Sequence, residues 1–210
     1  MDILAYLGSN PYPGRGLIVG NDRIYYFLMG RSEQSRNRVL VAAEDGIRTA
    51  PYDAAAIRDP SLIIYRAAAR MGTSLVVTNG DQTDTILSAG DFRKGLRRRE
   101  YEPDAPHYTP RISAILEEDG TFELSIIRHV DGTCERAFWR YEEWPTGAGA
   151  FLSTYEGDGD PLPSFSGEPY GIELPEPEDV WAALNPANRV AMYAYVNGRE
   201  TIFSRYGSVK

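Results

Sequence analysis

The residues best suited to gripping an anion are concentrated in RSEQSRNR, where Arg31, Arg36 and Arg38 fall within eight positions. Guanidinium groups that close repel one another unless solvent or an anion separates them, and their planar fork suits phosphate or carboxylate. The segment therefore reads as an anion site, with a solvated loop as the competing reading. A second segment, TNGDQTDTI from Thr78 to Ile86, takes an apolar strand into Asn79-Gly80 and then starts a helix with Asp81 or Thr83 as N-cap. Such a junction offers backbone N–H groups and a positive dipole end, with Asn79, Thr83 and Asp84 as side-chain partners, although the same residues are routine turn and cap punctuation. The third, EYEPDAPHYTPRI from Glu100 to Ile112, gathers acids, tyrosines, a histidine and an arginine in a loop stiffened by three prolines. Reduced backbone freedom would hold Glu102, Asp104 and Arg111 in fixed positions, or serve only as architecture.

Other polar residues carry less. FLSTYE, Phe151 to Glu156, reads as a plain strand end, and His129 and Cys134 have no partner at motif spacing and read as structural. One cysteine and two histidines are poor material for zinc, so no metal site is expected. The GxSxG, Walker, GxGxxG and HExxH patterns are absent. With 22 basic against 30 acidic residues the net charge is −8, which gives no general affinity for nucleic acid or an anionic membrane. An anionic ligand must be held locally, and since only Lys94 and Lys210 are lysines the task falls to arginine, a bias that a GC-rich genome would also produce.

The elements that must position these side chains are mostly strands. Gly16 to Gly20 and Arg23 to Leu28 flank an Asn21-Asp22 turn, and Arg38 to Ala43, Leu62 to Tyr65 and Ser74 to Thr78 are rich in β-branched or aliphatic residues. Ile112 to Leu116, Thr121 to Ile127 and Glu135 to Trp139 alternate around Asp-Gly turns as an antiparallel meander, and Asn197-Gly198 joins Val190 to Val196 with Glu200 to Tyr206. Helical spacing occurs in Thr83 to Arg97, weakened by Gly90 and Gly95, and in Glu178 to Asn185. Proline, glycine and acid dominate residues 156–178, which read as a long surface loop. At 210 residues, 42% apolar and 25% charged, the chain has the profile of a single globular domain. It contains no run of about 18 apolar residues and no basic-then-apolar leader, so a cytoplasmic protein is expected.

In order along the chain, PGRGLIVG, RSEQSRNRV, DPSLIIY, TNGDQTDTI, YEPDAPHYTPRISA and STYE resemble the archaeal-type inosine monophosphate (IMP) cyclohydrolases over about the first 155 residues. TNGxxTDTI and the YExD…TPRI segment are the most specific blocks. The resemblance implies an α+β fold, the four-layer αββα sandwich of two antiparallel sheets found in N-terminal nucleophile hydrolases. Because the chain begins Met1-Asp2, that fold would be used without an N-terminal nucleophile.

The implied reaction is the dehydrative ring closure of 5-formamidoimidazole-4-carboxamide ribotide to IMP, the last step of purine synthesis. It transfers no group and no electrons, so no cofactor is chemically required, and the implied partner is a small purine ribotide. The resemblance places the catalytic group on Arg36, Tyr65 and Glu102: Arg36 stabilising the formyl oxygen, Tyr65 donating or relaying a proton to it, Glu102 orienting or deprotonating the carboxamide. Substrate binding would fall to Arg31, Arg38, Asn79, Gly80, Thr83, Asp84, Tyr101, Asp104 and Arg111, with Arg31, Arg38 or Arg111 meeting the 5′-phosphate. A non-catalytic nucleotide-binding protein on the same fold is the alternative. Strand edges at this size often pair between subunits, which leaves a homo-oligomer open.

Overall fold

The computed structural model describes residues 1–56 and 63–207. Its strands make two antiparallel sheets. The first has six strands: β1 (Arg15–Gly20), β2 (Arg23–Met29), β10 (Ala148–Ser153), β11 (Tyr170–Glu173), β12 (Arg189–Val196) and β13 (Arg199–Ser204), in the order β11-β10-β1-β2-β12-β13. The second has seven: β3 (Arg38–Ala43), β4 (Gly46–Pro51), β5 (Arg66–Met71), β6 (Ser74–Thr78), β7 (Arg111–Leu116), β8 (Phe122–Val130) and β9 (Thr133–Tyr141), paired in chain order.

Side chains alternate across a strand, and here both sets are apolar because both faces are covered. In β2, Ile24, Tyr26 and Leu28 point between the sheets to meet Leu40, Val77 and Ile112 of the second sheet. Tyr25, Phe27 and Met29 point the other way, under helices α1 (Ile3–Ser9) and α5 (Pro177–Ala183). In β6 and β7, Leu75, Val77, Ile112 and Ala114 face the inter-sheet core. Val76 and Ile115 face α3 (Gln82–Ala89) and α4 (Phe92–Leu96). The result is four layers, helix–sheet–sheet–helix, as the resemblance implied. One further short helix, α2 (Glu33–Arg36), follows β2 and is closed by a reciprocal capping box between Ser32 and Ser35.

Three local readings differ from the structure. Of the strand expected over Leu62 to Tyr65, Leu62 lies outside the described residues and Ile63 to Tyr65 are not strand. The strand begins at Arg66, in RAAARM, an alanine-rich run of low β-propensity. The helical stretch from Thr83 to Arg97 is two helices, because Gly90 takes a left-handed turn (φ 61°) and Asp91 then caps α4 by accepting from the Lys94 amide. Residues 156–178 are not loop throughout: β11 adds to the sheet edge and Phe165 is fully buried in the inter-sheet core. No helix among the described residues is long and apolar enough to cross a membrane.

Candidate active site

Several chain segments converge at one end of the sandwich. Register places Arg15, first in β1, opposite Leu28 near the end of β2, and Ser153, last in β10, opposite Gly16. Arg38 opens β3 nearby, and the proline-stiffened loop before β7 arrives beside them. That loop is closed on itself by the Glu102 N–H donating to the Thr109 carbonyl at 2.9 Å and the Thr109 N–H donating to the Asp104 carboxylate at 2.7 Å. These segments surround a cavity of about 450 Å³ whose wall includes Arg15, Arg31, Arg38, Glu102, Asp104 and Tyr155.

Its floor is unusual in carrying two buried guanidinium groups. Arg38 is 1% exposed and Arg15 is 9% exposed. The Arg38 Nε donates to the Ser35 carbonyl at 2.8 Å, but its Nη1 and the Arg15 Nε are buried without a hydrogen-bond partner. A buried donor left unmade costs about 1–3 kcal/mol, more when charged, so the arrangement is retained against stability and is suited to an anionic or oxyanionic ligand. Glu102, 2% exposed, is the carboxylate in reach, 3.8 Å from Arg15.

The titration directions describe the same imbalance. Burial raises the Glu102 carboxyl above the usual carboxylate range against the opposing pull of Arg15 and Arg111. Burial also works against charge on Arg38, and the neighbouring Arg15 adds to that, so its affinity for a proton is lowered. Arg15 is buried as well, yet the neighbouring Glu102 carboxylate opposes the desolvation and holds it firmly protonated. Behind the arginines the Tyr26 and Tyr65 hydroxyls share a hydrogen bond of 2.6 Å. Tyr65 is fixed in place by Thr49, whose Oγ1 accepts the Tyr65 N–H at 2.8 Å.

Of the residues singled out in the sequence, Arg31, Arg38, Glu102 and Asp104 line this cavity and Tyr65 stands behind it. Arg36 is placed elsewhere: its Nη1 donates to the carbonyls of Arg31 at 2.7 Å and Gly30 at 3.3 Å, and its own carbonyl accepts from the Tyr206 hydroxyl. The TNGDQTDTI block lies next to Glu102, but its side chains bond to one another and to the chain around Pro110, Arg111 and Ile112. Asn79 spans the Pro110 carbonyl, the Gln82 amide and the Ile112 N–H, and Thr83 pairs with Thr78 at 2.7 Å. Gly80 is the contact point: a Cβ there would lie 2.6 Å from Arg111 Nη1 and 3.5 Å from Glu102 Oε1. Arg111 is 4% exposed and bonded to Asp81 and Gln82, behind Glu102. Asp84 faces outward against Arg66 at 3.3 Å, and Tyr101 packs edge-on to Tyr108 and His129.

Sequence reasoning missed Arg15, Tyr12, Tyr26 and Thr109. Arg15 is a lone cation inside PGRGLIVG, and only the strand pairing brings it to Glu102, 87 positions away in number. Gly14 offers a signal in retrospect. It sits at φ 78°, and a Cβ on it would come within 2.3 Å of Thr154 Oγ1 and 2.5 Å of the Tyr155 ring, so glycine is what lets β1 approach this wall. The acidic loop also reaches the site. Arg31 donates to Asp158 at 2.6 Å and to the Gly159 carbonyl at 2.8 Å, and the Leu162 N–H donates to His107 Nδ1 at 3.3 Å.

A larger cavity of about 600 Å³ opens at the opposite end, among the turns around Asn21, Gly72 and Asn197. Its cation, Arg70, is stacked on Tyr195 and bonded to the Thr73 carbonyl, and Asp22, Glu117 and Glu118 share the wall. A phosphorylated ligand would be repelled there, and the chemistry stays with the arginine-floored cavity.

A family model described as IMP cyclohydrolase-like protein matches residues 12–200. The chain is 30% identical over 155 residues to an IMP cyclohydrolase of Halobacterium salinarum, an alignment covering 70% of this chain and 74% of that protein. It is 27% identical over 160 residues to an IMP cyclohydrolase of Methanococcus aeolicus, covering 69% and 74%.

Proposed function

Because the chain belongs to the IMP cyclohydrolase family, we propose that it closes 5-formamidoimidazole-4-carboxamide ribotide to IMP in the cavity floored by Arg15 and Arg38. In that reaction the carboxamide nitrogen bonds to the formyl carbon. The formyl oxygen then leaves as water, with one proton from the carboxamide and one from the formamide nitrogen. Both reacting substituents sit on one ring, so alignment supplies much of the rate, and the protein must add a base for the carboxamide and donors for the oxyanion that develops on the formyl group.

The observation that carries this reading is a cavity whose wall holds two buried arginines, each with an unpartnered guanidinium nitrogen, together with a buried carboxylate. Arg38 and Arg15 take the oxyanion role, Tyr65 relays a proton from behind them, and Glu102 accepts the carboxamide proton. Arg31 at the rim takes the 5′-phosphate, for which Asp158 is the resident substitute. Arg36 serves this scheme only by holding the backbone carbonyls of Gly30 and Arg31. The net charge of −8 fits a free ribotide as partner rather than nucleic acid, in the cytoplasm where ribotides are made.

Binding of the product tests the site without turnover. IMP at about 100 times its Kd stabilises the fold by about 2.7 kcal/mol, which for a chain of this size raises Tm by roughly 5–10 °C. Inosine, lacking the phosphate, is expected to shift Tm far less at the same concentration. Equal shifts with both compounds, or none with IMP, would contradict the assignment of the arginines.

A further inference from the structure

One wall of the cavity contains a hydrogen-bond chain whose direction is fixed. The Asp104 carboxylate can only accept, and one of its oxygens takes the Thr109 N–H at 2.7 Å while the other takes the Thr109 hydroxyl. Thr109 has a single hydroxyl hydrogen, so its oxygen must accept in the 2.5 Å contact with the Tyr155 hydroxyl. The Tyr155 hydrogen is thereby committed to Thr109, and because Tyr155 belongs to the cavity wall a ligand that reaches its hydroxyl meets lone pairs only. Tyr12 stacks on the same ring at 6.1 Å and Gly14 presses close to it, so the ring cannot turn away. Burial pushes the Tyr155 phenol up to about 12, which keeps the hydrogen in the chain across the working pH range.

We propose that Tyr155, polarised through Thr109 by Asp104, is an acceptor that selects a ligand bearing a sugar hydroxyl at that position. This rests on the cavity holding a ribotide. In the product the ring N1–H, which derives from the carboxamide, is engaged by Glu102 and the phosphate by Arg31, which leaves the ribose hydroxyls as the remaining donors of IMP. An acceptor with no hydrogen to give bonds a hydroxyl and finds nothing on a deoxy carbon, and a buried acceptor left unpaired is what gives such sites their selectivity.

The test is direct binding of IMP, 2′-deoxy-IMP and 3′-deoxy-IMP to the wild type, Tyr155→Phe and Thr109→Val, read by calorimetry. The wild type is expected to bind IMP about tenfold or more tightly than one of the two deoxy nucleotides. In Tyr155→Phe that preference should collapse through weaker IMP binding, with deoxynucleotide affinity retained. Thr109→Val leaves the ring in place and cuts the phenol off from the Asp104 carboxylate that polarises its oxygen, so it should also reduce the preference, and it serves if Tyr155→Phe does not fold. A wild type indifferent to both deoxy nucleotides, or a Tyr155→Phe variant with the preference intact, would overturn the proposal while leaving the cyclohydrolase reading standing. A wild type that binds none of the three would remove both.

Discussion

Replacing Arg38 with methionine is expected to lower kcat by about 10²- to 10³-fold, the loss that follows removal of one preorganised oxyanion donor, while leaving Tm unchanged or raised. The two effects separate because Arg38 holds a buried charge beside a second cation, Arg15, with one nitrogen unpartnered. An apolar side chain of similar volume removes that desolvated charge, and such replacements are often neutral or stabilising. The paired experiment is Arg36→Met. Its guanidinium bonds two backbone carbonyls outside the cavity, so its loss should lower Tm slightly and leave kcat near that of the wild type. Steady-state kinetics and melting curves on the two variants check this. The reverse pattern, with Arg36→Met inactive and Arg38→Met active, would return the oxyanion role to the residue that the family resemblance first indicated.

Glu102→Gln is the second large effect, about 10²- to 10⁴-fold in kcat, the range for loss of a positioned general base. The pH profile supplies the sign. A base works when deprotonated, so kcat/KM falls on the acid side as the carboxyl takes up its proton. Burial has raised that carboxyl above the ordinary glutamate value, and activity should therefore begin to fall at a higher pH than an exposed glutamate would dictate. The glutamine variant should lose the acid limb along with the rate. An acid limb that persists unchanged in Glu102→Gln would assign the titration to another group and Glu102 to orientation alone.

The fold was largely legible because its strands carry their own signals. Asn21-Asp22 and Asn197-Gly198 turn hairpins as read, and the apolar runs of β1, β2, β6 and β7 mark strands covered on both faces. What escaped had weak local chemistry. RAAARM has no β-branched residue, and β11 lies in a proline- and glycine-rich stretch, so each is a strand only because a neighbouring strand offers it an edge. The site was legible in its segments and not in its details. Glu102, Asp104, Arg31 and Arg38 announced themselves by density of charge. Arg15 and Thr109 did not, since a single arginine between glycines and a threonine before proline look like ordinary punctuation until pairing brings them together. The choice between Arg36 and Arg38 could not be read from spacing, because α2 ends at Arg36 and β3 begins at Arg38, so two positions separate the end of a single helical turn from the start of a strand.

The most direct measurement is to incubate the purified protein, with no added metal or cofactor, with 5-formamidoimidazole-4-carboxamide ribotide and follow IMP by chromatography against a protein-free control. The account predicts rapid, stoichiometric conversion to IMP that is lost in Arg38→Met and in Glu102→Gln. Tight binding of the ribotide with no acceleration over the control would contradict it and leave a nucleotide-binding protein built on a cyclohydrolase fold.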